Sequence, residues 1–260
     1  MDRYTTFEDY LAAKYRIFNH AQQIVFNRDD AIVSKDLPLG ISKVSFGLDL
    51  PLENNFGLIK ENDQYWLAKG REKLLAISEM KLFGRHNIAN ALAALALGDS
   101  VQIPMPAMLS ALKTFIGLPH RCEWVREYQG IQWINDSKGT NVGATAAALQ
   151  GLSNDIQGKW ILIAGGVGKN ADFSVLSPLI AKYCRTMVLI GEAAQQLEEL
   201  FAPIVNCVKA DNMVDAVHLS LKHAEMGDGV LLSPACASLD MYKNFEERGN
   251  VFRTAVLQLK

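Results

Sequence analysis

Hydrophobic and polar positions along the chain follow two rhythms. From residue 118 onward, short apolar runs alternate regularly with amphipathic stretches of ten or more residues. The segment CEWVREYQGIQWIND reads as a hairpin turned at Gln129-Gly130. After it come TNVGATAAALQGL, DFSVLSPLIAKYC, AAQQLEELF, NMVDAVHLSLKHAE and FEERGNVFRTAVLQL as helices. Between them lie KWILIAGG, TMVLIGE, PIVNCVKA and GVLLSP as buried strands. Continuous apolar strands separated by helices predict a Rossmann-like, doubly wound, mostly parallel sheet. Earlier in the chain the rhythm is less regular. Residues 7–22 place Phe7, Leu11, Tyr15 and Phe18 on one helical face, QQIVF is a short strand, and residues 43–69 read as small antiparallel strands joined by hairpins. A stretch beginning at Phe83, GRHNIANALAALALGDS, is an Ala/Leu-rich helix ending near Gly98, and PAMLSALKTF, from Pro106, is a second. Gly117 and Pro119 then break the pattern. The expected organisation is an incomplete α/β, ATPase-type domain with a small antiparallel part over 1–117 and a Rossmann-like domain over 118–260.

Composition narrows the functional classes. Of 260 residues, 49% are hydrophobic and 21% charged, which is ordinary for a globular protein. A net charge of −2 and a pI near 6.2 argue against a nucleic-acid partner but leave phosphate ligands open. No apolar run is long enough to cross a bilayer and no signal peptide opens the chain, so no membrane partner and a cytoplasmic location are expected. The widely separated Cys122, Cys184, Cys207 and Cys236 read as buried thiols, and Cys236 as a small hydrophobe rather than a nucleophile.

In doubly wound sheets ligands bind beyond the carboxyl ends of the strands. After IQWI stand Asn135, Asp136, Ser137, Lys138, Gly139, Thr140 and Asn141. Capping by Ser137, Thr140 or Asn141 explains part of that cluster. A site for an anion at a helix N-terminus, with Lys138 as its cation, explains more of it. After WILIA, Gly166, Gly168 and Ala171 match G-x-G-x-x-A, with Glu192 as a possible ribose-binding acid; this is the signature of an NAD-type oxidoreductase and the main rival reading. After VLLS, the segment SPACASLD presents small residues, with Ser238 or Asp240 able to start the last helix. Asn87 and Asn90, three residues apart, share a helical face and can offer paired donors and acceptors to a purine edge. His120 and Arg121 lie at the proposed boundary, where a cleft would form.

The segments YLAAKYRIF, NRDDA, MKLFGRHNIANALAALAL, FIGLPHRCEWV, WINDSKGTNVGAT, GGVGKNADF and LLSPACASLDMYKNFEERGN, in this order, resemble the Mur ligases. These are ATP-dependent amide-forming enzymes of peptidoglycan precursor synthesis, and NDSKGTN together with LSPACASLD…NFEERGN resembles the branch that adds D-glutamate. The resemblance implies ATP and Mg²⁺ as cofactors, with D-glutamate and UDP-N-acetylmuramoyl-L-alanine as substrates. ATP would convert the acceptor carboxylate to an acyl phosphate, which the amine of D-glutamate then attacks. Carried onto this sequence, Lys14 matches a lysine that becomes carbamylated and helps hold the metal, and it stands with Lys138 and His120 as a catalytic candidate. Asn87 and Asn90 match adenine contacts. Arg121 and Asp136 match nucleotide contacts, and Lys138 a phosphate-facing lysine. Thr140, Lys169, Ser238, Leu239 and Phe245 match the D-glutamate pocket. The sequence departs from the family pattern in having no G-x-x-x-x-G-K-[ST] loop and no UDP-binding domain. The expectation is therefore the back portion of such a ligase, inactive alone and monomeric; a non-catalytic binding module is the third reading.

Overall fold

The computed structural model describes residues 4–82, 84–153 and 155–260. Met1–Arg3 and Phe83, the residue at which the Ala-rich stretch was expected to begin, lie outside the described residues. The chain divides into two units, one of Met1–Lys81 with Asn87–Phe115, the other of Leu82–His86 with Ile116–Lys260.

The first unit holds a five-stranded sheet in sequence order: β1 (Gln23–Asn27), β2 (Ser42–Phe46), β3 (Phe56–Glu61), β4 (Gln64–Lys69) and β5 (Glu72–Ala76). The meander β3–β4–β5 is antiparallel, and Asn62 and Asp63, both at positive φ, turn its first hairpin. β2 corrects the expected antiparallel hairpin. It runs parallel to β1 over five residue pairs and meets β3, again parallel, at Phe46 and Phe56. The reason is in the NRDD turn. Arg28 donates to the carbonyl of Phe56 (2.7 Å), to Ser45 Oγ (3.3 Å) and to Asp49 (2.7 Å), tying the ends of three segments together. The helix expected over 7–22 is also shorter. α1 (Phe7–Tyr15) gives way to a 3₁₀ turn at Arg16–Phe18, and neither contains a buried residue. With no apolar stripe to bury, nothing sustains a longer helix. A short α2 (Ala31–Lys35) is capped by the Asp30 carboxylate, which accepts from the N–H groups of Ile32 and Val33. The Ala/Leu-rich α3 (Arg85–Ser100) buries Ala91, Leu92, Leu95 and Ala96, and α4 (Met105–Thr114) follows it.

The second unit is the expected doubly wound sheet. Its strands are β6 (Glu123–Tyr128), β7 (Ile131–Asn135), β8 (Trp160–Gly165), β9 (Cys184–Ile190), β10 (Asn206–Lys209) and β11 (Gly229–Leu232), in the order β10-β9-β8-β11-β7-β6. All neighbours are parallel except β6, which forms the predicted hairpin with β7 around Gln129 and Gly130, both at positive φ. One face is covered by α5 (Val142–Gly151), by α6 (Ser177–Tyr183) with the 3₁₀ turn Phe173–Leu176 before it, and by α7 (Ala194–Phe201). The other is covered by α8 (Met213–His223) and α9 (Phe245–Gln258). Ile161, Leu162, Ile163, Val230, Leu231 and Leu232 are 0% exposed, as strands buried on both faces must be. β11 is last in sequence but inserts between β8 and β7. That crossover brings the loops after β7, β8 and β11 side by side, and it fixes where a ligand would sit.

Candidate functional site

The three strand-end loops are joined by their own backbones. The N–H of Ala235 donates to Gly139 O, that of Gly165 to Pro234 O, and Val167 and Ala237 exchange both bonds of an isolated antiparallel bridge, all at 2.9–3.1 Å. Gly166 must be glycine: its φ is +123° and an added Cβ would lie 2.1 Å from the carbonyl of Ala237.

After β7 the buried Asp136 carboxylate accepts from Ser233 Oγ (2.7 Å) and from the N–H of Cys122 (3.3 Å). Burial pushes this carboxyl up to about 6, against the opposing pull of those two partners and of the Arg121 charge. Ser233 is itself held against Thr145 on α5 (3.1 Å). Of the three expected caps, it is Asn141 that starts α5, accepting from the N–H of Ala144 (2.9 Å); this frees Ser137 and Thr140 for other work.

Lys138 and His120 meet at Phe245, the first residue of α9. Lys138 Nζ lies 3.8 Å from the centre of the Phe245 ring, and the His120 ring stands edge-on to it at 6.0 Å. His120 is 7% exposed, its Nδ1 lies 3.0 Å from Asn135 Nδ2, and its N–H donates to Glu123 (3.0 Å). It is thus a packed element of the loop rather than an open side chain. Gly249 makes room for it, since a Cβ there would lie 2.2 Å from His120 Nδ1.

Lys169, in the loop after β8, is exposed and adopts φ +48°. Ser238 is buried at 3% while the neighbouring Leu239 is 67% exposed, and Thr140 is half-buried. The G-x-G-x-x-A reading does not match this geometry. A dinucleotide fingerprint opens a helix directly at the glycine turn, whereas here residues 166–172 separate β8 from a 3₁₀ turn capped by Asp172. The space above Gly166 is taken by Ala237, and Glu192 gives its N–H to Asp240 Oδ2 (2.8 Å).

Lys14, Asn87 and Asn90 belong to the first unit and the remaining candidates to the second. Lys14 is an exposed residue of α1 with its ammonium 5.3 Å from the Tyr10 ring. Asn90 donates to Asn87 (3.4 Å), so the two carboxamides do share a face of α3. Among the described residues no group of three or more His, Cys, Asp or Glu side chains is placed to hold a metal ion. All four cysteines are free. Cys122, Cys184 and Cys236 are buried as expected, whereas Cys207 is only half-buried. Burial pushes the Cys236 thiol up to about 12, which suits a packing role and not a nucleophile.

Sequence reasoning missed Arg248. Its side chain is 1% exposed, and it donates to Ser137 Oγ (3.0 Å), Ser137 O (2.9 Å) and Cys236 O (3.2 Å). A usable signal existed in NFEERGN, where Phe245 and Arg248 are one helical turn apart and so share a face. Asn135 was noticed only as one polar residue of a cluster. It also donates to Glu123 (3.0 Å) and to the carbonyl of Gly249 (3.3 Å), joining β6, β7 and α9.

Comparison with known proteins agrees with this layout. Residues 1–98 match the Mur ligase middle domain and residues 120–236 the glutamate ligase domain of Mur ligases. The chain is 51% identical over 259 residues to the UDP-N-acetylmuramoylalanine--D-glutamate ligase of Pseudomonas aeruginosa, covering 100% of this chain and 58% of that protein. It is 47% identical over 258 residues to the protein of the same name from Legionella pneumophila strain Lens, covering 98% and 58%. The chain therefore spans less than two thirds of the length of the curated relatives it matches. Among solved structures, a pseudomurein peptide ligase type C from Methanothermus fervidus superposes with a TM-score of 0.70 at 17% identity, covering 98% of this chain and 60% of that one. The MurF ligase of Thermotoga maritima, solved with ADP, superposes with a TM-score of 0.64 at 14% identity, covering 97% and 58%. At such identities these two establish the fold.

Proposed function

The chain belongs to the Mur ligase family, and we propose that it supplies the nucleotide-facing and amino-acid-facing portion of an ATP-dependent ligase that joins D-glutamate to UDP-N-acetylmuramoyl-L-alanine. One observation carries this reading. Arg121, Lys138, Lys169 and Arg248 stand around the ends of β7, β8 and β11, and none has an ion-pair partner among the described residues. Four cations without an ion-pair partner at one end of one sheet favour anionic ligands there, and every reactant of this ligation is anionic.

In the proposed reaction ATP activates the acceptor carboxylate as an acyl phosphate. This chain's residues then hold D-glutamate and neutralise charge as the amine attacks. Lys169 and Thr140 take one carboxylate of D-glutamate; Ser238 and the backbone at Phe245 take the other, with Leu239 as a wall. Lys138, resting on the Phe245 ring, takes a phosphate oxygen, and His120, edge-on to that ring, helps fix it. Within the second unit, Asp136 and Arg121 are the residues proposed for a nucleotide's sugar; within the first, Asn87 and Asn90 are those proposed for a purine base. The asparagine pair fits a purine edge, having a donor and an acceptor together on one face. Magnesium fits less well. Lys14, as a carbamate, is the oxygen ligand proposed for it, and among the described residues no group of three or more His, Cys, Asp or Glu side chains is placed to hold the ion. A cytoplasmic location and a monomeric state are part of this proposal; no helix among the described residues is long and apolar enough to cross a membrane.

The test is a chimera in which this chain replaces the corresponding residues of the Pseudomonas aeruginosa relative. Phosphate release that requires both D-glutamate and the UDP-linked acceptor is expected, and Lys169→Met should raise the KM for D-glutamate about tenfold or more. Release that is equally fast with D-glutamine would show that the crevice does not read the second carboxylate.

A further inference from the structure

Arg248 is a strongly buried cation in the second unit. It sits on the first turns of α9, beneath the crevice. Its three bonds all run to main chain or hydroxyl oxygens of the two loops that frame the site: Ser137 Oγ and O after β7, and Cys236 O after β11. Ser137 Oγ in turn donates to the carbonyl of Phe245 (2.8 Å), closing a circuit through α9. A buried guanidinium would ordinarily be neutralised by a carboxylate. Here none among the described residues forms an ion pair with it, and Asp240 and Asp136 attract it only through space. Its bond acceptors are neutral, so they orient the charge without cancelling it.

We propose that Arg248 is the positioning residue of this crevice: it clamps the loop after β7 to the loop after β11 and keeps a buried, uncancelled positive charge beneath the bound anion. It touches no reacting atom. It sets the spacing between Thr140 in one loop and Ser238 in the other, and so the fit of a ligand with two carboxylates. This rests on the reading of the crevice as a D-glutamate pocket. A neutral residue at 248 would leave Ser137 O and Cys236 O without this donor, so the two loops would rest on the Ala235–Gly139 and Ser233–Asp136 bonds and open more readily.

The test uses the full chain with Arg248→Met, Arg248→Lys and Ser137→Ala, the last of which removes one acceptor without touching the charge. D-glutamate affinity is measured by calorimetry, and amide hydrogen exchange is followed in residues 136–141 and 234–240. Arg248→Met is expected to bind D-glutamate at least tenfold more weakly and to speed exchange in both loops together. Exchange at the opposite end of the sheet, around Asp228, should stay as in the parent chain. Arg248→Lys should recover part of the affinity, because the charge returns. Ser137→Ala, which keeps the charge and the bonds to Ser137 O and Cys236 O, should loosen both loops less than Arg248→Met and weaken D-glutamate binding less. Arg248→Met with unchanged exchange in both loops overturns the proposal, as does exchange that rises in one loop alone. Absence of D-glutamate binding by the parent chain would defeat the pocket reading, and the exchange experiment would then decide the clamp on its own.

Discussion

Replacing Asp136 by asparagine should make the protein more stable near neutral pH and less stable in acid. The carboxylate is buried, and its folded-state value of about 6 stands above the ordinary 3.8. Between those two values the native state binds more protons than the unfolded chain, so stability falls as pH rises through that window. Moving one carboxyl from 3.8 to about 6 costs the native state roughly 3 kcal/mol once both forms are ionised. Asparagine abolishes that cost. It also gives up one acceptor, because a single amide oxygen cannot serve both Ser233 Oγ and the N–H of Cys122, a loss of about 1 kcal/mol. The net gain should be about 2 kcal/mol at about pH 7.5. At about pH 4 most of the ionisation cost has gone, and the variant should be weaker than the parent by about 0.5 kcal/mol. Urea unfolding followed by tryptophan fluorescence measures both, since Trp133 and Trp160 are buried in the same unit. A difference between variant and parent that is the same at both pH values, or that favours the parent near neutrality, would refute the reasoning.

Three further perturbations test the frame around the site. Asp228, 0% exposed, accepts from the N–H groups of Lys159 (2.7 Å) and Glu225 (2.9 Å) and from Arg185 Nε (2.6 Å) at the amino ends of β8, β9 and β11. Asp228→Ala should cost about 3 kcal/mol in urea unfolding, and a cost below about 1 would mean that water replaces the network freely. Gly249→Ala would place a methyl group 2.2 Å from His120 Nδ1, so a loss of about 2 kcal/mol is expected in thermal unfolding, with His120 displaced from Phe245. Cys236, pushed up to about 12 and buried, should react with iodoacetamide at least about 100-fold more slowly in the native chain than in urea; equal rates would show that the loop after β11 opens readily.

The second unit was legible because its hydrophobic code is unambiguous. WILIAG and GVLL, apolar at consecutive positions, can only be strands covered on both faces, and the helices between them leave a parallel sheet as the sole economical solution. The first unit was less so. KVSF beside GLDL alternates like a hairpin strand, and what makes it parallel to β1 is a long-range contact of Arg28 with Phe56, 28 residues away. No local period records such a bond. The same holds at the site. Asp136, Lys138 and Lys169 announce themselves as polar residues at strand ends, but Arg248 lies inside a helix whose spacing predicts only an amphipathic surface. Its importance comes from meeting Ser137, 111 residues earlier in sequence.

Burial of charge explains why these particular groups cluster. The ends of β7 and β11 bury Asp136, Ser137, Ser233, Ser238 and Arg248 close together, beside the buried His120, Asn135 and Thr145. Ala235 adds to the cost by holding φ +58° at 2% exposure, a conformation that an L residue adopts only when its surroundings enforce it. A fold that needed only to be stable would place aliphatic residues there, as it does with Leu231 and Leu232 of β11, just before Ser233. The concentration of desolvated acid, unpaired cation and strained backbone at one end of one sheet, and not at the other, marks that end as the place where stability has been exchanged for pre-organised charge. At the opposite end the buried Asp228 has its counter-ion in Arg185 at 2.6 Å, as a purely structural acid should.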